Sequence, residues 1–297
     1  MSKPILTDLL RDQLGFTGVV FTDSMGMRGV SAHFEPGDAA LRAVEAGADI
    51  VIGSPDVEAA FHAIRDAVRS GRMSAARLDQ SVRRVLMAKA KLGLHKRENR
   101  FVDVNALMRK VGTTANRELA QHIADRAITL VRDERDVLPL RPAPETRVVQ
   151  INVLDTRSGW REGVPGRVMT AELPKRFPAT TTVQIDDQST PAEYALVRRL
   201  AALADAVVVN AFVRVASYKG SIDLNAPQTQ LLRDLAAAKK PLVFTSFGSP
   251  YVLLHVPELP SYIVTYDTSP LAERAAVRAI TGEIGFPGRL PISLIAS

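Results

Sequence analysis

The stretch FTGVVFTDSM, residues 16–25, decides how the first third of the chain is read. Its apolar run Val19, Val20, Phe21 has the length and β-branched character of a buried strand, and Asp23 falls where that strand must stop. A carboxylate in that place has two readings. It caps whatever helix follows, or it carries chemistry, because parallel α/β folds present reactive groups at the C-terminal ends of their strands. Nothing local separates the two.

On either side of this stretch the pattern is helical. KPILTDLLRDQLGF (3–16) has a helical apolar period, with Leu6, Leu9, Leu10 and Leu14 on one side. DAALRAVEAGADIVIGSP (38–55) predicts a helix, a Gly47 C-cap and a strand over 49–52. A second amphipathic helix is predicted within 57–73, ending at Gly71. A third follows within 74–94, opened by a Ser74 cap and carrying Leu78, Val82, Val85 and Leu86 in one stripe. Alternating strands and helices with short loops imply a parallel sheet. Two parallel strands leave most of their apolar surface bare, so residues 1–94 read as part of a larger unit.

Residues 95–120, with the basic run HKRENR, read as a polar linker. Helix 116–130 then leads into TLVRDERDVLPLRP (129–142), a strand and turn that open a second domain over 121–297. Its strand candidates are 147–154, 181–186, 206–212, 241–247 and 261–267, with helical patterns at 191–204, 226–239 and 270–282. These describe an open, doubly wound α/β sheet. GRLPISLI (288–295) predicts a closing edge strand, the one kind that tolerates Pro291.

Of the 297 residues, 46% are hydrophobic and 24% charged, as in soluble globular proteins. There is no cysteine, which excludes disulfides, thiolate metal sites and a cysteine nucleophile. The net charge of +6 is spread along the chain instead of gathered in a patch, which argues against a nucleic-acid partner. No apolar stretch approaches a membrane span and no hydrophobic signal region opens the chain, so as written it is expected in the cytoplasm. An upstream signal would make it periplasmic or secreted. The five histidines (33, 62, 95, 122, 255) show no metal-binding spacing, and no metal or cofactor is expected. No G-x-G-x-x-G or G-x-x-x-x-G-K-[ST] phrase follows a strand, and SGWREGVPG (158–166) reads as a plain loop.

LRDQLGFTGVVFTDSMGM (10–27), ALRAVEAGADIVI (40–52) and RLDQSVRRVLMAKAKLGL (77–94) resemble glycoside hydrolase family 3, in order and spacing. RDERDVLPL (132–140), FGSPYVL (247–253) and GRLPISL (288–294) resemble the family's second domain. The resemblance implies an incomplete (β/α)8 barrel segment, equivalent to strands seven and eight, followed by an α/β sandwich domain. It implies retaining hydrolysis of terminal β-linked N-acetylhexosamine or glucose, without a cofactor, and a carbohydrate as partner. TDSMGM is more similar to the N-acetylhexosaminidase branch.

By the same resemblance Asp23 is the nucleophile, which favours the second reading of the opening stretch. Met25 is the candidate for contact with substrate, set against a plain packing role. His33 reads as an exposed loop residue, and Glu35 and Asp38 as the surroundings of a turn before a helix. The general acid/base is unassigned: a glutamate of the second domain takes that part in the glucosidase branch, and Glu162, Glu172 and Glu193 are the positions available. The family's first six strands, its Lys-His phrase and its upstream His-Asp loop have no counterpart here, since a barrel takes about 250 residues and 22 precede Asp23. Met1 therefore reads as an internal start. The alternative is a non-catalytic remnant serving carbohydrate binding or assembly, and either form is expected to self-associate through its incomplete barrel.

Overall fold

The computed structural model describes residues 1–99, 101–141, 143, 145–155, 164–213 and 224–294. Contacts divide the chain into two units, Met1–Met108 and Arg109–Ser297, a division inside the stretch read as a linker.

In the first unit a helix over Pro4–Gln13 leads to β1 (Phe21–Ser24), a short α1 (Arg28–Ser31), α2 (Pro36–Ala46), β2 (Ile50–Ile52), α3 (Val57–Arg69) and α4 (Ala75–Lys91). The first helix is wound wider than an α-helix, as the bond from Leu14 N–H to the Leu9 carbonyl (2.9 Å) shows. That widening moves its leucines off a single stripe, and Leu9 and Leu14 are exposed. The predicted caps form. Ser74 accepts from the Arg77 amide, and Gly47 closes α2 with φ of 124°, where a side chain would also strike Thr7.

β1 and β2 pair in parallel, Phe21 beside Ile50 and Ser24 beside Ile52. The strand begins two residues later than the apolar run predicts. Val20 packs below it with Ala39, Ala43 and Ala48, and no strand side chain is buried. Parallel strands are normally covered on both faces; here Phe21 is 57% exposed. The expected stripe on α4 is only partly covered, with Val82 and Leu86 exposed, Leu78 and Val85 half-buried and Ser81 its one buried residue.

Two helices, α5 (Val104–Lys110) and α6 (Thr114–Ala127), lie within or across the expected linker. In the second unit α6 docks on α11 (Pro270–Ile280) through an Arg278–Asp125 ion pair and the Gln121 amide, which donates to the Leu271 carbonyl (3.2 Å). Six strands follow: β3 (Thr129–Asp133), β4 (Val148–Leu154), β5 (Thr180–Ile185), β6 (Ala206–Val213), β7 (Leu242–Gly248) and β8 (Ser261–Val264). Their order is β3-β8-β7-β6-β4-β5, with β3 antiparallel and the rest parallel. Every residue of β4 and β6 is buried, the polar Gln150, Asn152 and Asn210 included, as expected of central parallel strands covered on both faces.

One face packs against α8 (Pro191–Leu203), α9 (Ala226–Ala237) and the short α10 (Val252–His255) through Val197, Leu231 and Leu253. The other packs against α7 (Arg167–Glu172) and α11 through Met169, Ala276 and Ile280. This is the doubly wound sheet the sequence predicts.

GRLPISL is not a strand among the described residues. Pro291 lacks the N–H a ladder needs. Among the described residues the segment's one backbone–backbone bond runs from Gly288 N–H to the Ile128 carbonyl (3.0 Å), with the Tyr266 hydroxyl donating to the Arg289 carbonyl (3.5 Å). A Cβ at Gly288 would lie 2.3 Å from Thr129 Oγ1 and 2.4 Å from the Ala127 carbonyl. Gly288→Ala should therefore lift this segment off β3 and destabilise the second unit by about 1–3 kcal/mol. Urea titration will show the lower midpoint, and an unchanged midpoint would show that the segment carries no stability.

Candidate active site

Asp23 sits near the C-terminal end of β1, exposed, and beyond it the chain stays locked to the loop after β2. Ile52 N–H donates to Thr22 Oγ1 (2.9 Å), Met25 N–H to the Ile52 carbonyl (2.9 Å) and Gly26 N–H to the Gly53 carbonyl (3.1 Å). The backbone on both sides of the carboxylate is thus held, while Asp23 itself makes one hydrogen bond among the described residues, from Ser24 N–H to Oδ1 (2.7 Å). The capping reading fails. Met27 occupies the N-cap of α1 and Glu35 that of α2, and neither helix start receives a side-chain cap.

Met25 is 4% exposed and packs with Val20, Ala39 and Ala43 under the strand. It lies in the turn just past β1, where the chain bends its side chain into that cluster and away from the exposed Asp23. His33 is exposed, and Asp38 pairs with Arg42 (2.7 Å) one turn along α2. Asp56 N-caps α3, accepting from Ala59 N–H (2.8 Å).

At the opposite end of the same two strands lies a carboxylate that sequence reading passed over as a strand start. Asp49 has a fully buried side chain. Its Oδ2 accepts from Arg11 Nη2 (2.6 Å) and Val20 N–H (3.0 Å), and its Oδ1 from Ser81 Oγ (2.6 Å) and Arg84 Nη1 (3.0 Å). Arg77 Nη1 stands 3.9 Å away. Burial alone would raise this carboxyl's pKa, but the hydrogen bonds from Ser81, Val20 and Arg84 and the charge of Arg11 outweigh it and hold the value below the ordinary one. The signal in the sequence was the set of arginines on the flanking helices, which only tertiary contact assigns to one acid.

Residues 1–88 match the family model described as the glycosyl hydrolase family 3 N terminal domain. A β-N-acetylglucosaminidase/β-glucosidase of Cellulomonas fimi is 28% identical over 98% of this chain and 52% of its own length. A β-hexosaminidase A of Pseudoalteromonas piscicida is 33% identical over 48% of this chain and 24% of its own length. Among solved structures, a family 3 β-N-acetylglucosaminidase from a Paenibacillus species superposes on all of this chain and 55% of its own, with a TM-score of 0.80 and 27% identity. Residues 1–88 thus match the N-terminal domain of glycoside hydrolase family 3, and the chain along its whole length is similar to proteins of that family. It spans about half the length of the Cellulomonas relative.

The glutamates weighed as acid/base are engaged elsewhere or not described. Glu172 binds Lys175 and Arg176 (2.7 Å each), and those bonds hold its carboxyl below the ordinary value. Glu193 closes the capping box of α8 with Thr190, whose backbone and hydroxyl lower its pKa in the same way. Glu162 lies outside the described residues. Glu273 is buried but accepts from the backbone N–H groups of Gly166, Val168 and Met169, a structural task at the start of α7. Among the described residues no cluster of His, Asp and Glu could hold a metal, and no helix is long and apolar enough to cross a membrane.

The Asp49 hub yields a test. Asp49→Asn leaves guanidinium charge without its buried partner and should cost about 3 kcal/mol. Because the folded pKa is lowered, the carboxylate's contribution is complete above its ordinary value of 3.8 and is lost as pH falls through the lower folded value. Urea unfolding followed by circular dichroism should thus separate wild type from variant at pH 7 and bring them together toward pH 2.

Proposed function

We propose that this chain is the part of a retaining β-glycoside hydrolase that supplies the nucleophile, Asp23. The observation that carries the reading is the state of that carboxylate: exposed at a strand end, fixed in backbone, and free of any structural partner beyond the adjacent amide. Ser24 N–H engages Oδ1 and leaves Oδ2 for the anomeric carbon. Attack there forms a glycosyl ester as the leaving-group oxygen takes a proton from a general acid. Water, deprotonated by the same group, then cleaves the ester and regenerates the carboxylate, so two inversions give retention. No described residue of the first unit qualifies as that acid, and the remainder of a barrel would have to bring it within about 5 Å.

A β-N-acetylhexosaminide is the favoured substrate class over a β-glucoside. TDSMGM and the names of the Pseudoalteromonas and Paenibacillus relatives support that preference, while the Cellulomonas relative is named for both activities. The exposed apolar side chains of the first unit, Phe21 and Ile52 on the strands and Leu86 and Met87 on α4, support self-association as the state of the isolated chain.

Incubation with a 2-fluoro-glycoside, which reacts with the nucleophile but turns over slowly, should place a covalent sugar on the peptide holding Asp23, read by mass spectrometry. Asp23→Asn should abolish the adduct and lower hydrolysis of aryl β-N-acetylglucosaminide at least ~10³-fold, with unfolding unchanged. An adduct elsewhere, or undiminished hydrolysis, overturns the assignment. Sugar binding without hydrolysis at any pH would instead mark a non-catalytic module. Light scattering across a dilution series should show mass rising with concentration, and a monomer at all concentrations overturns the association.

A further inference from the structure

At the N-terminal end of β1 and β2, away from Asp23, the first unit holds a cavity of about 350 Å³. Lys3, Arg11, Arg72, Arg77 and Arg84 line it, opposed by Asp12 and Glu45, with Asp49 buried behind the arginines. Five cations therefore face three carboxylates. Glu45 is spent on Arg72, in a two-point bond of 2.8 and 3.1 Å. Three guanidiniums converge on Asp49, which can neutralise one of them.

Their donors are not exhausted. Arg84 makes one hydrogen bond, from Nη1 to Asp49, so its Nε and Nη2 are unpaired among the described residues. Arg77 spends Nη1 on Ser81 and Nη2 on the Ala48 carbonyl, and Arg11 spends Nη1 on the Phe16 and Gly18 carbonyls and Nη2 on Asp49. Nε remains on each. Arg11 is 7% exposed, and these side chains are held in place by their protein bonds before any ligand arrives. Burial, together with Arg84 and Arg11 close by, pulls the Arg77 guanidinium below its ordinary pKa in spite of Asp49, a sign of crowded positive charge.

We propose that this cavity binds a phosphate group, free or as a phosphomonoester. Preset guanidinium forks match tetrahedral oxyanions, and a divalent anion supplies the charge that Asp49 alone does not. The site is distinct from Asp23, which stands at the other end of the strands and offers an anion only repulsion.

Isothermal titration of the full chain with inorganic phosphate, at ionic strength fixed with sodium chloride, tests this. Saturable binding with a millimolar or tighter Kd is expected. Gln80→Glu, an exposed position lining the cavity that makes no contact with Asp49, should weaken it about tenfold, as should Lys3→Gln. Both leave the Asp49 hub intact, so neither depends on the fold surviving an arginine loss. Glycerol phosphate binding equally well identifies a phosphomonoester site, and phosphate alone binding identifies one for the free ion. Absence of saturation, Gln80→Glu and Lys3→Gln binding like wild type, or binding lost in Asp23→Asn would overturn the proposal.

Discussion

The buried carboxylate of Asp49 joins the first helix, the residue before β1, and α4 through Arg11, the Val20 amide, Ser81 and Arg84. The unit's apolar clusters lie beneath and beside the strands, which themselves bury no side chain. A buried ion is costly to dehydrate, and the cost is offset here because both oxygens are fully bonded and the partners are themselves preset. The consequence is positional. With the base of both strands pinned, the ladder from Phe21 to Gly26 has a fixed register, and Asp23 is delivered to one place.

The two acids illustrate how one fold gives like side chains unlike work. Asp49, at the N-terminal end, has its charge fully matched and serves stability. Asp23, at the C-terminal end, has a single backbone donor and an exposed face. Parallel α/β architecture makes this division general, because loops at the C-terminal ends can vary without disturbing the packing below. The surplus of arginine around Asp49 is the one feature at the stable end that packing does not require.

The second unit satisfies its own demands. Its central strands are buried on both faces by helices from each side, and its buried acid, Glu273, is used to hold the start of α7. The first unit has the same alphabet of elements but leaves one layer uncovered, visible in Phe21, Ile52 and the partly bare stripe of α4. That contrast separates the two units: the apolar side chains of the first remain open to a further layer.

Sequence alone determined the alternation of strand and helix, the Ser74 and Gly47 caps, the five parallel-sheet strands of the second unit and the likeness to family 3, because each rests on local spacing or on phrases that need no neighbour. It also pointed to Asp23. Tertiary structure decided the rest. Met25 turned inward because the turn after β1 carries it against α2, and GRLPISL failed as a strand because a close backbone contact at Gly288 and the missing N–H of Pro291 leave it one backbone bond. Glu172 and Glu193 meet partners that spacing makes available but only geometry engages. Asp49 became the centre of the unit because Arg11 and Arg84, 38 and 35 residues distant, meet it in space. Charge pairing over such separations leaves no periodic trace in the chain, and so only the fold reveals it.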